Sequence, residues 1–442
     1  MKIAYITAGA AGTFCGSCMR DNTLVAALRE QGHDALLIPT YTPIRTDEVD
    51  VSDKRVFFGA LNVVLQDRLS FFRHTPWFLD RLLDAPALLR WLSRFAGKTQ
   101  ASDLVELTLS MLRGEHGRQK KEFEKLVQWL KDDLQPDIVV LTNVLLSGLI
   151  PPLKEALGKP IVAVLQGDDI FLDALPAKAR RQCIALIREN CRDCDRLIAT
   201  CRAYADFMAE YLGLPRDRMD VVYPGIRLDG YSVKPPRAGA EPFTIGYFAR
   251  ICPEKGLHHL IAAFCLLKKD RPHADVRLHV AGYLGVAQQN YLAQQEAKIA
   301  AAGLRDSYFC LDCPTHDDKL RFLAELDVLS VPTTYREPKG LYILEALASG
   351  VPVVQPRHGS FPELIAQTGG GLLVDPDNPA DLARALIHLL ERRDEAHALG
   401  ARGRDAVVDR FHHGAMATNT VVVLENVVAE AIRQGKGEGK FV

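Results

Sequence analysis

The sequence has almost no charge of either sign to spare. Lys and Arg total 54 against 55 Asp and Glu over 442 residues, a formal net charge of −1. Nucleic-acid binders usually carry a basic excess, so this balance gives that class of function no support. Long apolar runs are also missing: none approaches the ~18 residues that cross a bilayer. The opening MKIAYITAGAAG breaks into Gly/Ala turn chemistry too early for a signal peptide. The expectation is a cytoplasmic protein, with the inner face of the membrane as the alternative. No short-period repeat or low-complexity tract stands out. GAAGTFCG lacks a clean G-x-G-x-x-G, and LLIPTYTP, at the end of the second strand, offers no ribose-binding acid. Both absences argue against a Rossmann dehydrogenase.

What is present is a globular composition, 48% hydrophobic and 25% charged. A single core stops growing near ~250–300 residues, so this length implies more than one domain. Short apolar runs alternate with amphipathic segments. KIAYIT, ALLIP, DIVVL, IVAVLQ, RLIAT and MDVVY read as strands buried on both faces, as in a parallel sheet. Helical segments separate them, the first with Leu24, Val25 and Leu28 on one face. A Pro/Gly-rich stretch at 224–241 breaks the series and reads as a linker. A second βα series follows through FTIGYFAR, VRLHVAGY, SYFCL, DVLSVP, VPVVQP and GGLLVD. The expected organisation is α/β: a doubly wound domain over 1–223, the linker at 224–241, and a second domain over 242–414. A long helix near 415–436 has the spacing to pack back on the first domain.

Residues 65–134 interrupt the first series as a helical, aromatic insertion. Within it, Phe71, Phe72, Trp77, Phe78, Trp91 and Phe95 alternate with Arg73, Arg81, Arg90 and Arg94. Two readings stand: the aromatics pack onto the domain, or the stretch 69–95 touches a membrane surface.

Ten cysteines include three C-x-x-C pairs, Cys15/Cys18, Cys191/Cys194 and Cys310/Cys313. Redox dithiols, zinc ligands and small apolar fillers are the alternatives. Cys183, Cys201, Cys252 and Cys265 lie in apolar or strand-edge contexts that suit the last.

Two stretches carry chemistry. In PTTYREPKGLYILEALASGVPVV, Glu337 precedes a helix and Glu345 falls on its second turn. The free backbone N–H groups of Lys339, Gly340 and Leu341 would meet an anion there. In IGYFARICPEKGLHHL, a strand leads through Arg250 to Lys255 and Gly256, where a helix opens. Two cations beside a helix N-terminus make a diphosphate site that needs no metal. Both stretches follow strands, at the carboxyl end of a parallel sheet, where ligands bind in such folds.

With these motifs, the "VVYPGI" exit into the linker and the Gly-rich first turn, the chain resembles the retaining GT-B glycosyltransferases of family four over essentially its whole length. The resemblance implies two Rossmann-like doubly wound domains facing a central cleft. The first would bind a sugar, lipid-linked or small-molecule acceptor through a hydroxyl. The second would bind a UDP-, GDP- or ADP-sugar as donor, with no further cofactor and no metal. Arg250 and Lys255 would hold the diphosphate, Glu345 the ribose, and Glu337 the donor sugar. Lys339, Gly340 and Leu341 would meet sugar and phosphate through their N–H groups, with Gly12 and Gly16 in the first loop. Tyr283 falls where the family has a base-facing loop.

Two departures stand out. Lys339 replaces the usual aromatic residue after Glu337, adding a cation. Gln166-Gly167-Asp168-Asp169 stands where the family commonly has a histidine facing the reaction centre. Asp168 or Asp169 would assist the acceptor there, or cap a helix. Arg20, Asp21 and Asn22, just beyond Cys18, are expected to face the cleft. The competing functions are a redox or zinc protein, or a non-catalytic sugar-nucleotide binder, on the same scaffold.

Overall fold

The computed structural model describes residues 1–9, 15–54, 101–233 and 241–438, with side chains over 1–9, 15–54, 105–233 and 241–434. Gly12 and the aromatic stretch 69–95 lie outside the described residues.

The chain divides into two units, Met1–Tyr223 with Gly414–Val442, and Pro224–His413. The first is built on six parallel strands: β1 (Lys2–Thr7), β2 (Asp34–Pro39), β3 (Ile138–Leu141), β4 (Ile161–Leu165), β5 (Arg196–Ala199) and β6 (Met219–Val221). Their order is β2-β1-β3-β4-β5-β6. Strands β3 and β4 are buried at every position, which is why they read as unbroken apolar runs rather than alternating ones. The insertion falls between β2 and β3. Its described part contains the helices Ala101–Leu112 and Lys120–Trp129, whose Leu109, Leu112, Phe123 and Leu126 join the core.

The carboxyl-terminal helix spans His413–Glu438. Contrary to the expectation that no stretch nears membrane-spanning length, it contains a 22-residue segment, His413–Gln434, that is apolar enough by composition to cross a membrane, with mean hydropathy 1.3. In this structure Met416, Ala417, Leu424 and Val427 pack instead among Ile3, Tyr5 and Leu28 of the first unit. Gln31 also donates to Gly414 O and Thr418 Oγ1, both at 3.0 Å.

The second unit carries β7 (Phe243–Phe248), β8 (Val276–Ala281), β9 (Tyr308–Leu311), β10 (Val328–Leu329), β11 (Val353–Pro356) and β12 (Gly371–Val374). They are again parallel, in the order β12-β11-β10-β7-β8-β9. The start of the expected linker is tied down rather than loose. Ile226 N–H donates to Phe411 O at 3.0 Å, and His413 N–H to Ile226 O at 2.8 Å.

Strand order reverses between β1 and β3 in the first sheet, and between β7 and β10 in the second. Loops leaving neighbouring strands part at such a point and open a crevice at the strands' carboxyl ends. The second crevice is entered by the Arg250 loop from β7 and the Glu337 loop from β10.

Candidate functional site

The chain leaves β7, passes Arg250, and makes a single tight turn over Pro253–Lys255. Gly256, at φ 73°, then starts the helix Leu257–Asp270. Glycine is required here twice over. The backbone is left-handed, and a Cβ would lie 1.7 Å from the Pro332 carbonyl oxygen. That close approach, with Thr334 N–H donating to Glu254 O at 3.0 Å, seats the β7 loop on the β10 loop. It brings Lys255 over Glu337.

Glu337 is held from behind. Ser360 N–H donates to its carbonyl at 2.8 Å. Its carboxylate is buried, 4% exposed by residue. Oε2 accepts from Lys255 Nζ at 2.6 Å and from Tyr335 Oη at 2.6 Å. Oε1 accepts from the backbone N–H groups of Lys339 and Gly340 at 3.3 and 3.4 Å. Burial alone would push this carboxyl up. The Lys255 and Lys339 ammoniums, with the Lys255 and Tyr335 hydrogen bonds, hold it down at about 2. Glu337 is therefore ionised at neutral pH. The Lys255 ammonium also lies 5.1 Å from the ring centres of both Tyr335 and Tyr342, within reach of their π faces.

This geometry corrects one expectation. The N–H groups of Lys339 and Gly340 are not free for an anion, because the Glu337 carboxylate occupies them. Beyond them Gly340, at φ 64°, starts the helix Leu341–Ala348.

Glu345, in the second turn of that helix, is 7% exposed. Its Oε1 accepts from Lys319 Nζ at 2.8 Å, and Lys319 is itself 4% exposed. Lys319 belongs to the helix His316–Ala324, which a Thr315–Asp318 capping box anchors. Neither Lys319 nor Tyr335 was legible as a site residue. HDDKLRFLA reads as a solvated charged face, and a tyrosine in a loop carries no sign of what it touches.

Arg250 contrasts with these buried groups. It is exposed, and its guanidinium makes no ion pair with any described residue. Burial and the Glu337 carboxylate push the Tyr335 phenol well up, and the Arg250 charge offsets part of that rise, so Arg250 lies near the same cluster. Tyr283, exposed beyond β8, accepts from Ile251 N–H at 2.9 Å and so stands beside the Arg250 loop. The second unit thus gathers Lys255 and Lys339 around one carboxylate, with Arg250 near Tyr335 and a second carboxylate, Glu345, in the second turn of the helix that follows. Cations in excess over Glu337 suit an anionic ligand. A buried carboxylate pinned on one oxygen suits hydroxyl donors.

In the first unit, Gly16 is the first residue of the helix Gly16–Glu30, with Cys15 at its N-cap. Asp168 is not a helix cap: Gly167, at φ 117°, caps the helix that Asp168 begins. Its two oxygens instead accept from Val144 N–H at 2.9 Å and Gln166 N–H at 3.0 Å. Burial outweighs those bonds and pushes its carboxyl up to about 6. Asp169 Oδ1 accepts from Tyr204 Oη at 2.6 Å. Asp168 thus holds the loops after β3 and β4 together, and Asp169 ties the loop after β4 to the helix that follows β5.

Arg20, Asp21 and Asn22 do not face open space, at 1%, 0% and 0% exposure. Asp21 Oδ1 accepts from Tyr5 Oη at 2.8 Å, Arg20 Nη1 at 3.2 Å and Gln166 Nε2 at 3.3 Å. Thr142 Oγ1 donates to Oδ2. Asn22 holds the backbone of Val49 and Val51, each at 2.9 Å. The polar run after Cys18 is a buried network that ties β1, β3 and β4 together at their carboxyl ends.

None of the ten cysteines is in a disulfide. Among the described residues no three His, Cys, Asp or Glu side chains gather as a metal would require. Cys183, Cys191, Cys194 and Cys201 pack within the larger core of the first unit.

Residues 233–406 match the family model described as Glycosyl transferases group 1, and residues 104–229 that described as Glycosyltransferase Family 4. The chain is 28% identical over 270 residues to a D-inositol 3-phosphate glycosyltransferase of Corynebacterium kroppenstedtii, covering 58% of this chain and 57% of that one. It is 32% identical over 178 residues to the MMP alpha-(1->4)-mannosyltransferase of Mycolicibacterium hassiacum, covering 40% and 41%. The chain thus spans about half the length of the curated relatives it matches. Its fold is similar to that of Anabaena HepE, crystallised with UDP, at a TM-score of 0.68 and 18% identity, over 96% of this chain and 100% of the other.

Proposed function

We propose, from the premise that this chain belongs to the group 1 glycosyltransferases with the GT-B fold, that it moves a hexose from a nucleoside-diphosphate sugar to a hydroxyl acceptor. The observation that carries this reading is the Lys255–Glu337 pair, seated where the β7 and β10 loops part, with Arg250 exposed beside it.

Departure of a nucleoside diphosphate leaves an oxocarbenium-like sugar and an anion. Arg250 and Lys255 stabilise that anion. Preorganised donors of this kind lower such barriers by about 3–4 kcal/mol each. Two protein cations at a helix N-terminus supply charge that other enzymes draw from a metal, which supports a metal-independent reaction. Lys339 adds a second cation to the Glu337 carboxylate and favours a donor or acceptor with an extra negative group. Glu337, ionised throughout the physiological range, has both oxygens engaged by Lys255, Tyr335 and the Lys339 and Gly340 N–H groups, and meets the donor sugar by exchanging one of these partners for a sugar hydroxyl. Glu345, with Oε1 fixed by Lys319, presents Oε2 to the ribose hydroxyls. The leaving phosphate takes the proton of the acceptor hydroxyl on the same face, so configuration at the anomeric carbon is retained.

Asp168 plays no part in this proton transfer in our reading, because both of its oxygens are spent on backbone N–H groups. The first unit holds the acceptor, with Gly16 at the start of its first helix.

The test is transfer from a panel of UDP-, GDP- and ADP-sugars, followed by product anomer analysis, with wild type beside Arg250→Ala and Lys255→Ala. One donor should be turned over with retention, and both variants should lose transfer. Full activity in either variant would overturn the assignment.

A further inference from the structure

The C-x-x-C pair at the start of the first helix is not used by this chemistry, and it differs from the other two pairs. Cys15 is the N-cap of the helix Gly16–Glu30, and Cys18 lies in its first turn. Met19 N–H donates to Cys15 O at 3.0 Å, so the turn is closed at Cys15. N-cap and N3 side chains meet on one face of a helix. Helical geometry sets their Cα atoms about 5 Å apart, inside the ~4.4–6.8 Å range of disulfides. Cys15 is half-buried and reachable, while Cys18 is 2% exposed. Cys191 and Cys194 are both buried in the core, at 1% and 2%. Cys310 is exposed, but it stands on a strand, where no helical turn brings Cys313 against it.

We infer that Cys15 and Cys18 form a reversible intramolecular disulfide by exchange with a small-molecule disulfide, with Cys15 as the entering thiol and Cys18 as the resolving one. The Cys15 thiolate attacks one sulfur of the reagent, whose S–S bond breaks and releases one thiolate. Cys18 then attacks the Cys15 sulfur, its own proton leaves, and the second thiolate departs. Two protein thiols and one disulfide become one protein disulfide and two small thiols, so electrons and protons balance. Contact with Cys15 and burial both push the Cys18 thiol well up, so Cys18 is not the thiol that enters first.

The experiment is differential alkylation with peptide mass mapping of the full chain after incubation with oxidised glutathione, and again after reduction. Cys15 and Cys18 should be lost to alkylation together and recovered together. Cys18→Ser should hold a stable glutathione adduct on Cys15. Continued alkylation of Cys15 and Cys18 while Cys310 reacts would overturn the inference, as would a Cys15 adduct in wild type that never resolves. Mapping of the wild type decides the matter even where the variant does not fold, and it does not depend on the transferase reading.

Discussion

The Lys255 ammonium lies 2.6 Å from Glu337 Oε2, and the two side chains are only 11% and 5% exposed. Removing one member strands the other, and breaking a buried pair in this way costs about 3–5 kcal/mol. Lys255→Met should therefore lower stability by that order in urea unfolding and also abolish transfer. A variant with wild-type stability would show that the pair is open to water.

Arg250 separates function from folding. Its side chain is exposed and makes no ion pair with any described residue, and surface substitutions of this kind usually stay within about 0.5 kcal/mol. Arg250→Ala should keep the wild-type unfolding midpoint and lose at least tenfold in kcat/KM. Calorimetry beside steady-state kinetics checks both halves.

The pH dependence has a definite sign. Glu337 is held at about 2 in the fold, against an ordinary 4.5. A depressed carboxyl adds stability that is present above its unfolded value and lost as pH falls through the folded one. The window is pH 4.5 down to 2, and the size is about 3 kcal/mol. Asp168 works the other way. Its folded value of about 6, above the usual 3.8, gives a contribution that is full below 3.8 and lost as pH rises through 6. Urea unfolding of Glu337→Gln across pH 2–5 should show a shallower acid loss than wild type. Equal slopes would contradict the account.

Gly256→Ala would force a left-handed residue and drive a methyl group into the Pro332 carbonyl. Strained backbone of this sort costs about 1–3 kcal/mol before any clash. Lower thermal stability, with donor affinity falling because Lys255 is displaced, is the expected result. Gly158, where a Cβ meets nothing within 4 Å, is the control: Gly158→Ala should carry the backbone cost and leave donor binding intact.

Much of the fold was legible because fully buried parallel strands leave unbroken apolar runs. IVAVL could be little else, and the Pro/Gly stretch after Tyr223 marks where the first series stops. The candidate site was legible where a glycine and a charge share a loop, as at Lys255-Gly256 and Lys339-Gly340. The rest depends on contacts between segments distant in sequence. Nothing near Lys319 announces that it reaches Glu345, 26 residues on. Asp21 was expected to face the cleft, but Tyr5, Thr142 and Gln166 surround it. The N–H groups at Lys339 and Gly340 were expected to be free because helix starts usually leave them so; a carboxylate two residues upstream had already taken them.

The central claim is that the second unit binds a nucleoside-diphosphate sugar through Lys255 and Arg250. The most direct measurement is a thermal-shift panel of UDP-, GDP- and ADP-sugars on wild type and on Arg250→Ala. At one hundred times its dissociation constant a true donor adds about 2.7 kcal/mol. The account predicts a clear upward shift with one nucleotide class in wild type, and its loss in Arg250→Ala at an unchanged ligand-free midpoint. No shift with any nucleotide sugar, or an equal shift in the variant, would contradict it.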